Sequence, residues 1–544
     1  MGAQRRSLRS GARRGLMGLA LGAASVAVHA QACPADTTIE EIRRGVQAGE
    51  LDGASVRVRG VVTGRFTGDK ALNGFFIQQP GRDAAPDGLF VYTPDHGRGD
   101  IPARGTRVSV RGQAGVHRGQ AQLEWVAAIT SCGQRSLQPI ALDPPLSPSR
   151  RRALQGVLVA TSGALVVTAN QGLHRWGVLE LAVGRRLFQA SSGVEGGRPA
   201  GFVLDDGSYV TDPDTVAYTH EGHGRRLGSR LGRAKGILVK RFGQWRLHPV
   251  TKPSFSALNP RTLPPEADDD HLRVASFNLN NFFPVTAARG HRDQAKRRRH
   301  EAAVIRALGA MDADVLVIQE LANNRAAAEV LRDRLNRRVP GRYDFATGPG
   351  RIGDDAIRVA ILVRRQSGVG VVAVEALRNG PHNRPPVSVR LRLPEGGKLD
   401  VTGVHFKSRG GCGSDGVCGE ARRQAQARAL RRSLRPADDV PSLVTGDFNS
   451  YYQEAPLRRL RAAGLKPGVA PRVAPGQRYT YVYQGRAGMV DFALMDARAR
   501  SLTRAGRIWH VGADEATRPA ARGPWGASDH DAVIVDIAKR SAAH

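Results

Sequence analysis

The sequence TGDFNS at residues 445–450 follows a short apolar run at residues 441–444, and this junction limits the folds open to the chain. The apolar run predicts a buried strand. Asp447 and Asn449 are two residues apart, so on an extended segment their side chains point the same way. Gly, Asp, Asn and Ser also form Asx turns, which is the structural alternative. The junction predicts an α/β protein in which a carboxylate and a carboxamide emerge together at a strand end, where such sheets place their chemistry.

Short apolar runs that end in polar residues recur through the C-terminal half of the chain. Short apolar runs predict strands at residues 272–277, 314–319, 359–363, 387–391, 399–404, 490–495 and 531–536. Amphipathic patterns predict helices at residues 296–308 and 419–434. Because strands outnumber helices, we expect a two-sheet α/β sandwich with helices on its outer faces.

The N-terminal half has a different sequence pattern, which is typical of short β-strands. Five short alternating runs with Gly-rich turns, at residues 54–62, 74–78, 89–92, 106–112 and 122–126, predict a closed barrel of the OB type. Such a barrel either binds single strands or serves as a spacer. We therefore expect a signal peptide at 1–32, an OB-like domain at 33–140, a second β-rich module at 150–262, a linker at 263–271 and an α/β domain at 272–540.

Residues 1–32 have the pattern of an export signal, with five arginines ahead of an apolar stretch at residues 15–28. The stretch is too short for a stable membrane anchor, so we expect no stable membrane insertion. Four cysteines in an exported chain predict disulfides. Cys412 and Cys418 enclose a short loop and are expected to pair, which leaves Cys33 with Cys132. Periplasmic, secreted and, as a lesser alternative, lipid-anchored outer-surface locations stay open.

The net charge of +32 is concentrated in the C-terminal half, where 46 basic residues face 26 acidic ones in residues 271–544. A field of this size favours a polyanion, either nucleic acid or an anionic membrane surface. A genome rich in Arg codons is the alternative explanation. The basic run at residues 296–299 fits either a grip on phosphates or a solvated helix face.

Successive predicted strands of this half end in polar residues suited to phosphate or metal chemistry. They are Asn278, Glu320, His405, Asp447, Asn449, Asp491, Asp529 and His530. Each residue alone is explained by a helix cap or a turn. Their repetition in one domain predicts that they converge on one sheet edge.

These segments together resemble the endonuclease/exonuclease/phosphatase family, which includes pancreatic-type deoxyribonuclease and the abasic-site endonucleases. The likeness covers about residues 272–538 and rests on FN at 277–278, QE at 319–320, HFKS at 405–408, GDFNS at 446–450, VDF at 490–492 and SDH at 528–530. It implies a four-layer α/β sandwich. The N-terminal half also resembles the front half of secreted bacterial nucleases of this family, in GFFIQ at 74–78 and VLDDGS at 203–208.

The resemblance implies a magnesium site, with Mn²⁺ or an additional Ca²⁺ as alternatives. Its oxygen ligands would be Asn278, Glu320 and Asp529.

The resemblance also assigns catalytic roles. Asp447 would align or deprotonate water, and Asn449 would donate its amide to a phosphate oxygen. His530, oriented by Asp491, would contact the phosphate or act as base, and His405 would be a general acid.

Further cations are expected to bind phosphate: Lys407, Arg409 and, more weakly, Arg358. The presence of His405 favours plain DNA cleavage over abasic-site repair.

The leading hypothesis is an exported, monomeric, Mg²⁺-dependent nuclease that cuts DNA with little sequence preference. RNA as substrate and exonucleolytic cutting stay open. One alternative is a phosphodiesterase of the same fold acting on phospholipid headgroups such as sphingomyelin. Another is a non-catalytic DNA-binding surface protein.

Overall fold

The structure is a computed structural model of the chain. It describes residues 33–539 except 69, 80–86, 95–99, 163–164, 214–215, 217, 220–224, 257–258, 265, 287–288, 340, 379, 412–418, 435–438 and 517–522. The predicted signal peptide and the predicted Cys412–Cys418 pair therefore lie outside the described residues.

The first unit is a closed five-stranded barrel, here called the barrel, preceded by one helix. Its elements are α1 (Ile39–Ala48), β1 (Ser55–Phe66), β2 (Gly74–Gln78), β3 (Gly88–Tyr92), β4 (Thr106–His117) and β5 (Gln120–Gln134). The strand order is β1-β2-β3-β5-β4, with β3 and β5 parallel. Alternate side chains of each strand fill the interior, so the predicted small barrel is confirmed. The predicted Cys33–Cys132 disulfide is also confirmed and ties the segment before α1 to β5.

The second unit, here called the middle module, is built on one nine-stranded sheet. Its elements are β6 (Ile140–Leu142), α2 (Pro148–Ala153), β7 (Leu158–Thr161), β8 (Leu165–Ala169), α3 (Leu173–Trp176), β9 (Val178–Val183), β10 (Leu187–Phe188), β11 (Arg198–Asp205), β12 (Arg230–Leu231), β13 (Lys235–Arg241), β14 (Gln244–Pro249) and β15 (Phe255–Ser256). The sheet order is β15-β12-β8-β9-β11-β14-β13-β7-β6, and β10 stands outside it. The barrel packs on this module through an apolar cluster that includes Phe66, Phe76 and Ile237.

The third unit, here called the C-terminal domain, has two six-stranded sheets. Its first half contains β16 (His271–Phe282), α4 (Gln294–Met311), β17 (Val315–Ala322), α5 (Arg325–Arg338), β18 (Tyr343–Phe345), β19 (Ile357–Arg364), β20 (Gly370–Ala376), β21 (Val387–Arg392) and β22 (Lys398–His405). Its second half contains α6 (Gly419–Ser433), β23 (Ser442–Asp447), α7 (Ala455–Ala462), β24 (Lys466–Pro467), β25 (Tyr481–Tyr483), β26 (Arg486–Gly488), β27 (Asp491–Met495), α8 (Ala497–Leu502), β28 (Thr503–Trp509) and β29 (Ala532–Ala538). The sheet orders are β18-β19-β17-β16-β29-β28 and β20-β21-β22-β23-β27-β24.

The two sheets stack face to face and helices cover their outer faces, which gives four layers. Val274 and Val317 of the first sheet share one core with Val389 and Leu443 of the second. The outer face of the first sheet packs on α4 and α5, and that of the second sheet packs on α6 and α7. Because both faces of the central strands are buried, those strands appear in the sequence as continuous apolar runs. The predicted four-layer α/β sandwich is confirmed.

The middle module is joined to the C-terminal domain by backbone pairing. Strand β10 pairs in parallel with β26, which forms a hairpin with β25, so the three make a small separate sheet. Buried ion pairs reinforce the joint, and Arg186 of the module lies 2.6 Å from Asp514 of the domain. No helix in the described part of the chain is both long and apolar enough to cross a membrane.

Candidate active site

The polar side chains predicted at strand ends come together at one edge of the sandwich. Parallel strands β16, β17, β22 and β23 end at this edge, and β27 and β29, which run the other way, begin there. Asn278 and Glu320 come from the first sheet, and His405, Asp447 and Asp491 come from the second. The site is therefore built where the open ends of two stacked sheets meet.

Glu320 is turned into the site by a break in its strand. The pairing of β17 with β19 shifts register between Ile318 and Leu321, and Glu320 has the left-handed φ of 62°. A β-bulge of this kind re-aims a side chain at the cost of backbone strain. The Glu320 carboxylate is held in the site by the Asn281 backbone N–H, which donates to Oε2 at 2.7 Å.

Asn278 connects the two sheets. It is fully buried, and its amide nitrogen donates to Glu320 Oε1 at 3.2 Å and to Asp447 Oδ2 at 3.3 Å. Its amide oxygen accepts the Asn280 backbone N–H at 2.9 Å. In this arrangement Asn278 spaces two carboxylates by donating to both of them, and its predicted part as a metal ligand stays a prediction.

Asp447 sits at the end of β23 and is almost completely buried. The Asn449 backbone N–H donates to its Oδ1 at 2.7 Å and the Asn449 amide donates to its Oδ2 at 3.0 Å. Burial raises the pKa of Asp447 to about 7, and the neighbouring Asp491 and Glu320 carboxylates act in the same direction against the charge of His530. A carboxylate with such a pKa accepts a proton readily near neutral pH.

Asn449 completes the turn that the sequence suggested. Its φ of 47° is left-handed, and its side-chain amide also donates to the Phe406 carbonyl at 3.2 Å. Both amide hydrogens therefore have acceptors within the protein, and Asn449 holds Asp447 in position. Its predicted contact with a phosphate oxygen stays a prediction.

His530 and Asp491 form a buried pair. His530 Nδ1 lies 2.8 Å from Asp491 Oδ2. Burial alone would lower the pKa of His530, but the Asp491 carboxylate outweighs it, and Asp447 adds to the effect, so the pKa lies well above its usual range. The structure thus holds an imidazolium beside the carboxylate predicted to orient it.

His405 is also fully buried, but its environment is different. Its Nε2 lies 3.5 Å from Asp447 Oδ2 and 3.8 Å from Glu320 Oε1, and its Nδ1 has no hydrogen-bond partner among the described residues. Burial, followed by the positive charge of Arg384, holds the pKa of His405 well below its usual range. A neutral imidazole has no proton to give as an acid at pH 7, so the predicted general-acid role stays a prediction that a raised pKa in the substrate complex would have to support. In this structure His405 lies beside the two carboxylates without a hydrogen bond to either of them.

Two residues of the site were missed by sequence reasoning. Arg384 is buried, donates to the Phe406 carbonyl at 2.6 Å and adds positive charge near Glu320 and Asp447. Tyr481 stacks on the His530 ring at 4.8 Å between centroids. Both lie outside the long apolar strands, Arg384 in a loop and Tyr481 in a short hairpin, where no periodic pattern marks them.

The three predicted phosphate-binding cations occupy different places. Arg409 is exposed at the rim, where it pairs with Glu454 at 2.8 Å, and Lys407 lies next to it. Arg358 is fully buried and donates to the backbone carbonyls of the 348–350 loop. Burial lowers the pKa of Arg358 to about 10. Arg358 supports this loop and has no access to a substrate phosphate, so that prediction is corrected.

The donor set fits a divalent cation. Asp447, Asp491 and His530 have side-chain atoms that all lie within 4.8 Å of one another, and of these three the two carboxylates can bind a cation, because a protonated His530 has no free lone pair. The Oδ1 of Asp491 is buried without a hydrogen-bond partner among the described residues. Glu320 adds a further carboxylate close to Asp447, and a cluster of buried like charges is what a bound cation compensates. Asp529 is exposed beside His530 and makes no hydrogen bond or ion pair with any described residue, so its predicted ligand role stays a prediction.

Comparison with known proteins places this geometry in a family. Residues 275–530 match the model of the Endonuclease/Exonuclease/phosphatase family. No curated protein matches the sequence.

Solved structures similar to the chain include three of known source. The human Nocturnin catalytic domain with bound sulfate is 16% identical, with 49% of this chain and 94% of that chain covered and a TM-score of 0.35. The D. rerio TDP2 complex with single-strand DNA product is 17% identical, with 49% and 98% covered and a TM-score of 0.35. The Bacteroides thetaiotaomicron mannosyl-6-phosphatase is 17% identical, with 48% and 98% covered and a TM-score of 0.34.

The family match spans the segment in which β16, β17, β22, β23 and β27 deliver the buried carboxylates, amides and imidazoles to one edge. Residues 275–530 of the C-terminal domain are therefore similar to the endonuclease/exonuclease/phosphatase family, whose members hydrolyse phosphoester bonds.

Proposed function

We propose that the chain is an exported, metal-dependent nuclease that hydrolyses phosphodiester bonds of DNA with little sequence preference. One observation carries the proposal. A carboxylate with a pKa near neutrality, Asp447, and an imidazolium, His530, lie in one buried cluster at the sheet edge that also carries Glu320.

The reaction adds water to phosphorus and breaks the bond from phosphorus to the leaving oxygen: one proton of the water passes to Asp447, and the departing oxygen takes up a proton from solvent. Glu320, with Asn278 and Asp529, would hold Mg²⁺, with Mn²⁺ in its place or an additional Ca²⁺ as alternatives, and the cation would neutralise charge on the phosphoryl oxygens. The remaining steps are carried out by the side chains of the chain itself.

Asp447 is the base of the proposed mechanism. Asn449 fixes both of its oxygens through two donated hydrogen bonds, so one lone pair is directed at an incoming water. A base with a pKa of about 7 takes the proton of that water without being saturated by solvent protons. The imidazole of His405 lies 3.5 Å from Asp447 Oδ2 and limits the space around this carboxylate on that side.

His530 binds the phosphate in the same mechanism. Its Nδ1 is committed to Asp491, so Nε2–H faces away from that carboxylate and donates to a phosphate oxygen. The stacked ring of Tyr481 restricts rotation of the imidazole. Because the imidazolium is already held in position, it stabilises the charge that develops in the transition state without first having to reorient.

DNA is favoured as substrate by the charge of the chain. The excess of basic over acidic residues in residues 271–544 suits a polymer of phosphates, and contacts to phosphates carry no sequence information. Export is supported by the Cys33–Cys132 disulfide, because such bonds persist in oxidising compartments.

The test is supercoiled plasmid incubated with the purified protein in Mg²⁺ and in EDTA. Nicked and linear products are expected only with metal. His530→Ala is expected to lower the cleavage rate by about 10²- to 10⁴-fold, the range for loss of a positioned proton donor or acceptor. His271→Ala is the matched control, because it removes the imidazole of another His–carboxylate pair, with Asp268 at 2.9 Å, and should cleave like wild type.

Three outcomes would contradict the proposal. Intact plasmid with every divalent metal, together with hydrolysis of sphingomyelin, would favour a phospholipid headgroup as substrate. Equal cleavage by wild type and Glu320→Ala would show that the site is elsewhere, whereas DNA binding without any cleavage by wild type would favour a non-catalytic binding protein.

A further inference from the structure

A groove rich in arginine lies between helices α4 and α5 on the outer face of the first sheet. It has a volume of about 870 Å³. Six arginines line it: Arg297, Arg298, Arg306, Arg334, Arg337 and Arg338. This surface is here called the arginine groove.

The arginine groove has little negative charge to balance these cations. Glu301 is the carboxylate among its described lining residues, and it forms an ion pair with Arg334 at 3.0 Å. Arg306 donates to the Gly523 backbone carbonyl, and Arg297 donates to backbone carbonyls of the preceding loop. Backbone carbonyls satisfy donors but do not neutralise charge. Five guanidinium groups therefore face the groove without a carboxylate partner among the described residues.

The folding of the two helices accounts for this concentration of charge. Each helix buries one apolar stripe against the first sheet, with Val304 and Leu308 in α4 and Leu331 and Leu335 in α5. Residues three and four apart share a helix face, so the remaining arginines project along the seam between the helices. Like charges gathered in this way repel one another, which costs stability. A bound polyanion relieves that repulsion.

The arginine groove opens from the edge that carries the active site. Pro284, which lines it, lies two residues after the end of β16, the strand that carries Asn278. His300 of α4 lies with Nε2 3.0 Å from the carbonyl of Ala527, two residues before Asp529. The end of the arginine groove formed by the start of α4 therefore lies near the segment that leads to His530, and its other end, at the last turn of α5, lies farther from the edge. A polymer long enough to extend along the outer face of the sandwich contacts both sites.

We propose that the arginine groove is a second binding site for the phosphate backbone of nucleic acid, engaging the same polymer away from the bond that is cut. The inference rests on the proposed function for the choice of DNA as polymer. It predicts that long DNA binds more tightly than a short fragment, because only long DNA reaches both sites. Contacts of this kind release counterions, so each phosphate engaged steepens the fall of affinity with salt by about 0.9 in log–log slope.

The test compares two triple variants in the full chain, both carrying His530→Ala so that DNA stays intact. The groove variant is Arg298→Gln/Arg337→Gln/Arg338→Gln, three exposed arginines. The matched control is Arg428→Gln/Arg431→Gln/Arg432→Gln, three exposed arginines of α6, two of them again in the last helical turn. Both variants lose the same charge, so a general loss of positive field affects them equally.

Binding of a 40-base-pair fluorescent duplex is measured by anisotropy over a range of salt concentrations. The groove variant is expected to bind about tenfold more weakly, with a salt slope reduced by about 2 to 3. The control is expected to stay within twofold of the parent. Without His530→Ala, the groove variant should have a raised KM on long DNA and an unchanged rate on a small phosphodiester such as bis(p-nitrophenyl) phosphate.

The results separate this inference from the proposed function. Equal loss of binding in the two variants, or none in the groove variant, overturns the arginine groove as a site even if wild type cleaves DNA. Groove-dependent binding by a protein that cleaves no DNA supports the arginine groove and overturns the nuclease. Groove-dependent binding to phosphatidylserine vesicles, with DNA binding unaffected, overturns it in favour of a membrane surface.

Discussion

Replacing Asp514 by asparagine tests how strongly the middle module and the C-terminal domain are joined. Asp514 is completely buried and accepts from Arg186 at 2.6 Å and from the Tyr479 hydroxyl at 2.7 Å. Asn259 donates to it as well, and Arg226 lies 3.4 Å away. The substitution removes the negative charge and leaves the shape of the side chain almost unchanged.

The expected cost follows from the charges left behind. Arg226 keeps Glu515 as a partner, but Arg186 loses its carboxylate while its side chain stays about nine-tenths buried. Removing one partner of a buried ion pair costs about 3 to 5 kcal/mol, because the other charge stays desolvated. Burial alone would raise the pKa of Asp514, yet Arg186 and Arg226 outweigh it and lower the pKa to about 2.

That pKa gives a second estimate. A carboxylate whose pKa is lowered in the folded state stabilises the protein above its unfolded pKa of 3.8, and the contribution is lost as the pH falls towards 2. The difference corresponds to about 2 kcal/mol at neutral pH. Both costs, about 3 to 5 kcal/mol from the ion pair and about 2 kcal/mol from the pKa, are larger than the contribution of up to about 1 kcal/mol that an exposed ion pair makes.

Urea unfolding at pH 7, followed by tryptophan fluorescence, measures this cost. Asp439→Asn is the control, because Asp439 pairs with Arg498 at 2.5 Å but is 79% exposed. An exposed pair is worth up to about 1 kcal/mol. If Asp514→Asn destabilises the protein no more than Asp439→Asn does, the Asp514 cluster does not hold the two units together and the reasoning is wrong.

Three further predictions concern other parts of the chain. Gly446→Ala should abolish soluble folding or activity, because Gly446 has a φ of 138° and an added Cβ would lie 2.1 Å from the Val404 carbonyl; Gly476→Ala, which has open space and no left-handed φ, should be mild in the same expression and plasmid assays. His248 should account for about 3 kcal/mol of the stability that wild type loses in urea melts between pH 6.5 and 4, because burial lowers the pKa of His248 to about 4 and only the unfolded chain takes up the proton; other buried histidines add to the total, so the measured quantity is the difference between wild type and His248→Phe, and equal pH slopes of the two would contradict the argument. Cys132→Ser should lower the thermal midpoint, since the lost disulfide closes a separation of 99 residues and contributes about 4 kcal/mol; an unchanged midpoint would show that the barrel core suffices.

Much of the C-terminal domain could be predicted because its chemistry is attached to its strands. Buried central strands need unbroken apolar runs, and a polar residue at the end of such a run stands out in the sequence. Glu320, Asp447 and Asp491 were found in this way, and the structure brings them to one edge. Edge strands give no such signal, and β20 was not predicted because its side chains are largely exposed.

Other features depend on contacts between distant segments and could not be predicted. Arg384 enters the site from a loop, and nothing in its local sequence distinguishes it from the many other arginines of the chain. The low pKa of His405 comes from burial by the whole fold, which the local sequence does not contain. The nine-stranded sheet of the middle module brings together strands far apart in sequence, such as β8 and β12, and a local pattern does not contain that order.

The parallel pairing of β10 with β26 has a consequence for how this gene can be rearranged. The hairpin that receives β10 also carries Tyr481, and Tyr481 shares a β-bridge with His530. A recombination point placed near residue 271, where the family domain begins in sequence, would leave that hairpin with an open edge and Asp514 without Arg186. We therefore expect a C-terminal domain cut off at this point to need substitutions both at the hairpin edge and around Asp514 before it folds without the middle module.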